Sequence, residues 1–228
     1  MMKDDFAQAP FSAVEFADNP EPRCACVLLL DTSGSMSGES IAALNAGLDQ
    51  FATEMREDRL AGKRVEICVV TFGDSVDVVA EFGSALDFYP QPLKAKGGTP
   101  LGEAIGVGLD LLAARQTEYR ANGIVPYRPW VFMITDGAPT DSWARAATRI
   151  REGEARKSFS FYAVGVDGAD MDTLAQISVN DPVRLRGLAF TDMFRWLSSS
   201  LSAVSRSSVG QQVTLANPAG PAGWASIV

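Results

Sequence analysis

Residues 24–40 read CACVLLLDTSGSMSGES and join an uninterrupted apolar run to a loop of small, mostly polar residues. An apolar run that ends abruptly in such a loop predicts a strand buried on both faces. From Ser40 to Met55 the apolar side chains recur at spacings of three and four residues, which predicts an amphipathic helix. The segment is therefore a strand, a loop and a helix in series, which is the repeating unit of a parallel sheet.

The same alternation of strand and helix continues toward the C-terminus. Further strands are predicted at Val65–Gly73, Pro129–Gly137 and Phe159–Val166, with an antiparallel edge strand at Val76–Phe82. Helices are predicted from Thr99, as N-cap, to about Arg120, from Asp141, as N-cap, to Lys157, at Met171–Ser178 and at Thr191–Val204. We therefore expect an α/β fold of the Rossmann-like, doubly wound kind. Its central sheet would be mainly parallel, with one antiparallel edge strand and helices on both faces.

The ends of the chain differ from this pattern. Residues 1–22 are predicted to form an N-terminal arm, in which the alternating segment Ser12–Phe16 could add an edge strand. Residues 23–206 form the expected domain. Residues 207–228 are rich in Ser, Gly, Pro and Ala and are predicted to be a tail that packs on the domain or extends from it, with Trp224 as an apolar anchor.

The composition restricts the functions that the chain can have. It carries 20 Lys and Arg against 28 Asp and Glu, a net charge of -8, which argues against nucleic acid or an anionic membrane as partner. The sequence contains no histidine, the commonest general base and metal ligand. Any metal must therefore be held by oxygen atoms or by the three cysteines, and oxygen ligands select a hard cation.

The cysteines and the N-terminus bear on cellular location. Cys24, Cys26 and Cys68 lie within apolar runs, which is typical of core thiols rather than of a disulfide framework. The first ten residues, MMKDDFAQAP, lack the apolar stretch of a secretory signal, and no apolar run in the chain is long enough to span a bilayer. We expect a cytoplasmic protein.

Three loops are predicted at the carboxyl ends of strands or the start of a helix, where doubly wound sheets bind ligands. They are Asp31–Gly38, Gly97–Pro100 and Asp136–Thr140.

Their side chains offer five oxygen groups, from Asp31, Ser33, Ser35, Thr99 and Asp136. In an extended loop the first three alternate, so their oxygens can converge on one point. Water or a partner would complete the six ligands of Mg²⁺, with Ca²⁺ or Mn²⁺ as the other candidates. Taken singly, the aspartates are also ordinary turn residues and Thr99 an ordinary N-cap.

The motifs DTSGS, GGTPLG and ITDG resemble the three parts of the metal-ion-dependent adhesion site of von Willebrand factor A domains. The resemblance implies a complete site, with direct ligation by Ser33 and Ser35 and a direct or water-mediated role for Thr99. It implies roles through water or hydrogen bonds for Asp31 and Asp136. It also implies that a partner protein offers an Asp or Glu to the metal.

A closer resemblance is to the bacterial TerY-type branch of these domains, judged from SGSMSGESI, YRPWVFMITDGAPTD, FYAVGVDGADM and GWASIV. That branch is associated with tellurite resistance and stress systems, and often accompanies protein kinases and PP2C-type phosphatases. The resemblance therefore implies a scaffold in a bacterial signalling assembly, with a kinase or phosphatase as possible partner.

We expect a non-enzymatic, cation-dependent protein-binding module. The first alternative is a Mg²⁺-dependent phosphoester hydrolase, but the aspartyl-nucleophile kind would need a carboxylate where this chain has Ser33. No phosphate-binding loop or dinucleotide motif is present either. The second alternative is a purely structural cation site, with partners bound elsewhere, for instance through the tail around Trp224.

Overall fold

The computed structural model describes Phe16 and residues 18–227. The predicted strand at Ser12–Phe16 lies outside the described residues except for Phe16 itself. Within these described residues there are seven strands: β1 Cys24–Asp31, β2 Val65–Phe72, β3 Val76–Ser84, β4 Trp130–Thr135, β5 Ser160–Gly165, β6 Val183–Leu185 and β7 Ala225–Ile227. The α-helices of the described part are α1 Glu39–Glu57, α2 Arg59–Arg64, α3 Leu101–Ala121, α4 Ala144–Ala155, α5 Met171–Ile177 and α6 Phe190–Arg206.

The strands form one sheet in the order β3-β2-β1-β4-β5-β6-β7. Strands β2, β1, β4, β5 and β6 run parallel, and β3 pairs antiparallel with β2 at one edge. The predicted Rossmann-like α/β fold is confirmed. The sheet also has a second antiparallel edge, where β7 of the tail pairs with β6. Strand β7 is not indicated by the sequence, because it is only three residues long and has no periodic pattern.

Each face of the sheet is covered by helices, and β1 supplies alternate residues to the two cores. One core contains Cys26, Leu28 and Leu30 with the apolar faces of α1 and α6. The other contains Val27 and Leu29 with the apolar faces of α3, α4 and α5. None of the helices in the described part has the length and apolar character needed to cross a bilayer.

The three cysteines are core thiols, as predicted. All three are fully buried and unpaired, with Cys24 and Cys26 in one core and Cys68 in the other. Burial raises the pKa of Cys24 to about 12, because a thiolate is poorly solvated there. These thiols are therefore neutral and unreactive at physiological pH.

The start of α3 corrects two predictions about helix caps. Thr99 was predicted as its N-cap, but α3 begins at Leu101 and Thr99 makes no side-chain cap. The carboxylate of Asp141 accepts hydrogen bonds from Gly102 N at 2.9 Å and Glu103 N at 2.8 Å instead. Asp141 was predicted to cap the helix that follows it, yet α4 begins only after Trp143. The loop after β4 lies beside the start of α3, so Asp141 reaches the free N–H groups of that neighbouring helix.

A buried charged network lies at the opposite end of β2 from the predicted site. The carboxylate of Glu66 accepts from Arg23 Nε at 3.0 Å, from Arg115 Nε at 2.6 Å and from the Tyr119 hydroxyl. The ring of Phe16 covers the Arg115 guanidinium, whose central carbon is 4.8 Å from the ring centroid. Hydrogen bonds to both carboxylate oxygens allow Glu66 to be almost fully buried on a central strand.

Candidate metal centre

The predicted site lies at the topological switch point of the sheet, where the strand order changes direction. From β1 the chain moves to β2 on one side, whereas β4 pairs with β1 on the other side. Asp31 is the last residue of β1, and Asp136 directly follows β4. Because these strands are parallel neighbours, the two aspartates lie at the same edge, at the crevice where doubly wound sheets bind ligands.

Three of the predicted oxygens are close together. The Ser35 hydroxyl donates to Asp136 Oδ1 at 2.7 Å, the Ser33 hydroxyl lies 3.5 Å from the same oxygen, and the two hydroxyls are 2.9 Å apart. Neighbouring ligands of an octahedral Mg²⁺ are separated by about 2.9 Å. The loop is not extended as expected, because Gly34–Met36 forms a 3-10 turn. This turn still brings both hydroxyls to Asp136.

Asp31 is the most deeply buried member of the group. Its Oδ1 accepts from Ser33 N at 2.7 Å and its Oδ2 from the Thr135 hydroxyl. Burial raises the pKa of Asp31 and outweighs these hydrogen bonds, which act to lower it; the Asp136 carboxylate raises it further. Within the described part of the chain, neither aspartate forms an ion pair with Lys or Arg.

Hydrogen bonds from backbone N–H groups join the three loops of the site. Gly34 N donates to Gly97 O at 3.0 Å, Thr140 N donates to Thr99 O at 2.9 Å, and Thr99 N donates to the Thr140 hydroxyl at 3.0 Å. Gly97 has φ +80°, and a Cβ there would lie 2.3 Å from the Asp74 backbone, so only glycine fits. These contacts fix the position of Thr99 relative to the other two loops.

The Thr99 hydroxyl borders the same space as Ser35. A Cβ built on Gly137 would lie 3.1 Å from Thr99 Oγ1 and 3.9 Å from Ser35 Oγ. Among residues 18–227, no hydrogen bond to Thr99 Oγ1 is found. The structure therefore brings together all five predicted residues. Ser35 is exposed while the other four are buried, so the group opens to solvent on the Ser35 side.

Three further residues position the site and are not indicated by the sequence. Thr135 was assigned only to the apolar run of β4, although it is the one hydroxyl residue in WVFMIT. Thr140 and Asp141 were noted only as loop and helix-start residues, but they hold Thr99 and the start of α3. The partners of Thr140 and Asp141 are 38 to 41 residues away in sequence and that of Thr135 is 104 residues away, so no local pattern indicates these contacts.

The donor set suits a hard divalent cation. Among the described residues there is no cluster of three or more His, Cys, Asp or Glu side chains, so any metal here would depend on hydroxyl oxygens as well as carboxylates. Buried carboxylates without a basic partner are ordinarily neutralised by protonation or by a metal. Two such carboxylates beside three hydroxyls are compatible with Mg²⁺, Ca²⁺ or Mn²⁺ and unsuited to a soft metal.

Comparisons with known proteins identify the fold. The family model for the von Willebrand factor type A domain matches residues 26–193. No curated protein sequence matches the chain.

Several solved structures share the architecture. The pilus adhesin SpaC from Lactobacillus rhamnosus GG, in its open conformation, has a TM-score of 0.65 at 15% identity, covering 80% of this chain and 30% of that one. The vWF domain of the type V pili tip protein Mfa5 from Porphyromonas gingivalis has a TM-score of 0.55 at 10% identity, covering 85% and 99%. The manganese-loaded Plasmodium vivax TRAP protein has a TM-score of 0.50 at 16% identity, covering 75% and 73%. The chain thus spans less than a third of the adhesin, and at these identities the likeness concerns the fold.

Proposed function

Because the chain belongs to the von Willebrand factor type A domain family, we propose that it is a non-enzymatic protein-binding module with a divalent cation at the β1–β4 edge. The cation is held by Asp31, Ser33, Ser35, Thr99 and Asp136. The observation that carries this proposal is the convergence of the Ser33 and Ser35 hydroxyls on Asp136, beside a buried Asp31 without a basic partner. Mg²⁺ is the proposed ion, with Ca²⁺ and Mn²⁺ as substitutes.

The partner is proposed to supply an Asp or Glu carboxylate to the cation. Three of the five groups are neutral hydroxyls, so a divalent ion keeps much of its attraction for another anion. The exposed Ser35 side gives a partner access to the ion. The manganese-loaded TRAP protein and the pilus adhesin, which share this fold, support a cation and a binding role for it.

The cellular system and location of the chain are proposed from its resemblance to the TerY-type branch. We place the chain in a bacterial tellurite or stress-response system, as a cytoplasmic scaffold that binds a kinase or phosphatase. Three buried, unpaired cysteines are compatible with a reducing compartment. Fractionation of the native host and identification of the proteins that co-purify with the chain would test location and setting, and recovery only from the envelope or medium would contradict them.

Metal binding is tested first, without a partner. Mg²⁺, Mn²⁺ and Ca²⁺ should each raise the thermal midpoint of the intact chain in a concentration-dependent way, because they bind the folded state. The double variant Ser33→Ala, Ser35→Ala should lose this increase. Ser37→Ala, an exposed hydroxyl of the same loop, is the matched control and should keep it. An equal increase in all three proteins would contradict the metal site.

The dependence of partner binding on the cation is tested by capture from a host lysate on the immobilised chain. Proteins bound in Mg²⁺ should be released by EDTA and should not bind the Ser33→Ala, Ser35→Ala variant. Capture by Ser37→Ala should equal that of the unchanged chain. A captured partner whose binding survives both chelation and the double variant would favour the alternative, a structural cation site with the partner bound elsewhere.

The proposal that the chain is not an enzyme requires a separate test. The sequence has no histidine, and the group at the β1–β4 edge offers no basic side chain to stabilise a phosphoryl group. We expect no Mg²⁺-dependent turnover of a panel of phosphoesters. Turnover that disappears in the Ser33→Ala, Ser35→Ala variant would establish the hydrolase alternative.

A further inference from the structure

A second candidate site lies beneath the C-terminal tail and shares no residue with the metal centre. It is a pocket of about 240 Å³ between the sheet, helix α6 and the tail. Its wall is mainly aromatic and apolar, formed by Phe132, Tyr162, Val183, Trp196, Leu215 and Trp224. The Trp196 ring lies 6.5 Å from Tyr162 and 5.7 Å from Trp224, measured between centroids.

The indole N–H of Trp224 is a hydrogen-bond donor in the pocket wall that lacks an acceptor among the described residues. Trp224 is 5% exposed, and its Nε1 is buried without a hydrogen-bond partner among the described residues. The other indole of the pocket is satisfied, because Trp196 Nε1 donates to Ala216 O at 2.7 Å. Buried polar groups are nearly always paired, so this unpaired N–H is a donor that a ligand's acceptor would satisfy once the adjoining side chains move to admit it.

The charges in the pocket wall and the volume of the pocket restrict the class of ligand that it can bind. No basic side chain lines the pocket, and Asp181 is the charged residue of its wall, which disfavours an anion. A cavity of about 150 Å³ lined by apolar side chains holds benzene, so this larger one has room for a ring with a short substituent. We propose that the pocket binds a neutral, ring-containing small molecule whose carbonyl or hydroxyl oxygen accepts a hydrogen bond from Trp224 Nε1.

Acetophenone, which has a carbonyl, and ethylbenzene, which lacks one, are suitable probes of similar shape. The chain has four tryptophans, so an ¹⁵N-labelled sample gives few indole signals, and Trp224→Phe identifies that of Trp224. Acetophenone should move this signal downfield in a saturable manner, because its carbonyl accepts the N–H. Ethylbenzene should perturb the signal without the downfield shift. Absence of a saturable change with acetophenone would overturn the proposal.

The two probes differ in hydrophobicity, so their binding is compared as the ratio of their affinities in each variant. The change in that ratio between variants then reports the hydrogen bond. The ratio of acetophenone affinity to ethylbenzene affinity should fall about fivefold in Trp224→Phe, which keeps an aromatic ring and loses the N–H. Val183→Phe, which fills the pocket, should weaken both probes about tenfold or more. Val209→Phe, in the exposed tail outside the pocket, is the matched control and should change neither. An unchanged ratio in Trp224→Phe, or unchanged binding in Val183→Phe, would overturn the assignment. These measurements require no divalent cation and are independent of the metal proposal.

Discussion

Thr135 connects the two aspartates of the metal centre. Its hydroxyl donates to Asp31 Oδ2 and accepts from Gly137 N at 3.3 Å, so it links the end of β1 to the turn that carries Asp136. The residue is fully buried. It contributes no predicted ligand, yet it orients a carboxylate that would otherwise be buried with one oxygen unpaired.

Thr135→Val keeps the shape of the side chain and removes the hydroxyl. Its free energy of unfolding should fall by about 1–3 kcal/mol, because Asp31 Oδ2 loses its donor while remaining buried. The rise in thermal midpoint caused by Mg²⁺ should also shrink, since Asp31 is no longer held in place. Thr71→Val, near the carboxyl end of the adjacent β2, is the control and should keep the full Mg²⁺ effect. Equal Mg²⁺ effects in the two variants, measured by thermal denaturation, would contradict the role of Thr135.

Helix α3 depends on a residue outside its own segment for its first turn. Asp141 accepts from two of its free N–H groups and places a negative charge at the positive end of the helix. The same loop holds Thr99 through Thr140. The start of α3 and the loop after β4 therefore form one unit beside the metal centre.

Asp141→Ala should reduce the free energy of unfolding in urea by about 0.5–2 kcal/mol, the usual effect of losing a cap. Asp110→Ala removes an exposed aspartate of the same helix that pairs with Arg149, and should cost about 0–1 kcal/mol. If Asp141→Ala proved no more destabilising than this control, the cap across the two segments would be refuted.

Asp58 provides a pH-dependent contribution at the junction of α1 and α2. It caps α2 through Leu60 N and Ala61 N and pairs with Arg206 of α6. Burial raises the pKa of Asp58, but hydrogen bonds from Ala61, Ser202 and Arg206 outweigh it and lower the pKa below its usual value. A lowered folded-state pKa stabilises the fold above the unfolded-state value of about 4, and this stability is lost as the pH falls through the folded value.

The difference in unfolding free energy between the unchanged chain and Asp58→Asn should therefore be full at neutral pH and decrease below about pH 4. Urea titrations at a series of pH values measure it. Asp87→Asn, at an exposed aspartate, is the control. A difference that grows on acidification would contradict the assignment.

The tail is part of the folded molecule. Trp224 and Ala225 are buried in the core beneath α6, and Arg186 N donates to Trp224 O at 2.9 Å. Strand β7 covers the edge of β6, so the parallel part of the sheet is flanked by an antiparallel strand on both sides. The limits of the arm, residues 1–22, the domain, residues 23–206, and the tail, residues 207–228, stay a prediction.

Truncation after Arg206 should lower the free energy of unfolding by about 3–5 kcal/mol or more, because it removes a buried tryptophan together with the edge strand. Ile227→Ala, at a mostly exposed residue of β7, is the control and should change stability little. Urea unfolding distinguishes the two. If the truncated chain were as stable as the untruncated one, the tail would contribute nothing to the stability of residues 23–206.

The order of strands and helices was predictable from sequence because apolar periodicity is a local property of each segment. The grouping of Asp31, Ser33 and Ser35 was predictable because they are two residues apart in one loop. Asp136 could be added because parallel strands end at the same edge of the sheet, and Thr99 because the helix that follows it is expected to begin at that edge. These predictions need only local patterns and one rule of topology.

Other features depended on the folded chain. The Thr135 bond to Asp31, the cap that Asp141 gives α3, the Glu66 network and the pairing of β7 all join residues that are distant in sequence. Each contact forms because the sheet and its helices bring those residues together, and burial then strongly favours a partner for each polar group. The residue types alone do not reveal which partner that is, since several candidates satisfy the same donor or acceptor until the packing of the elements leaves one within reach.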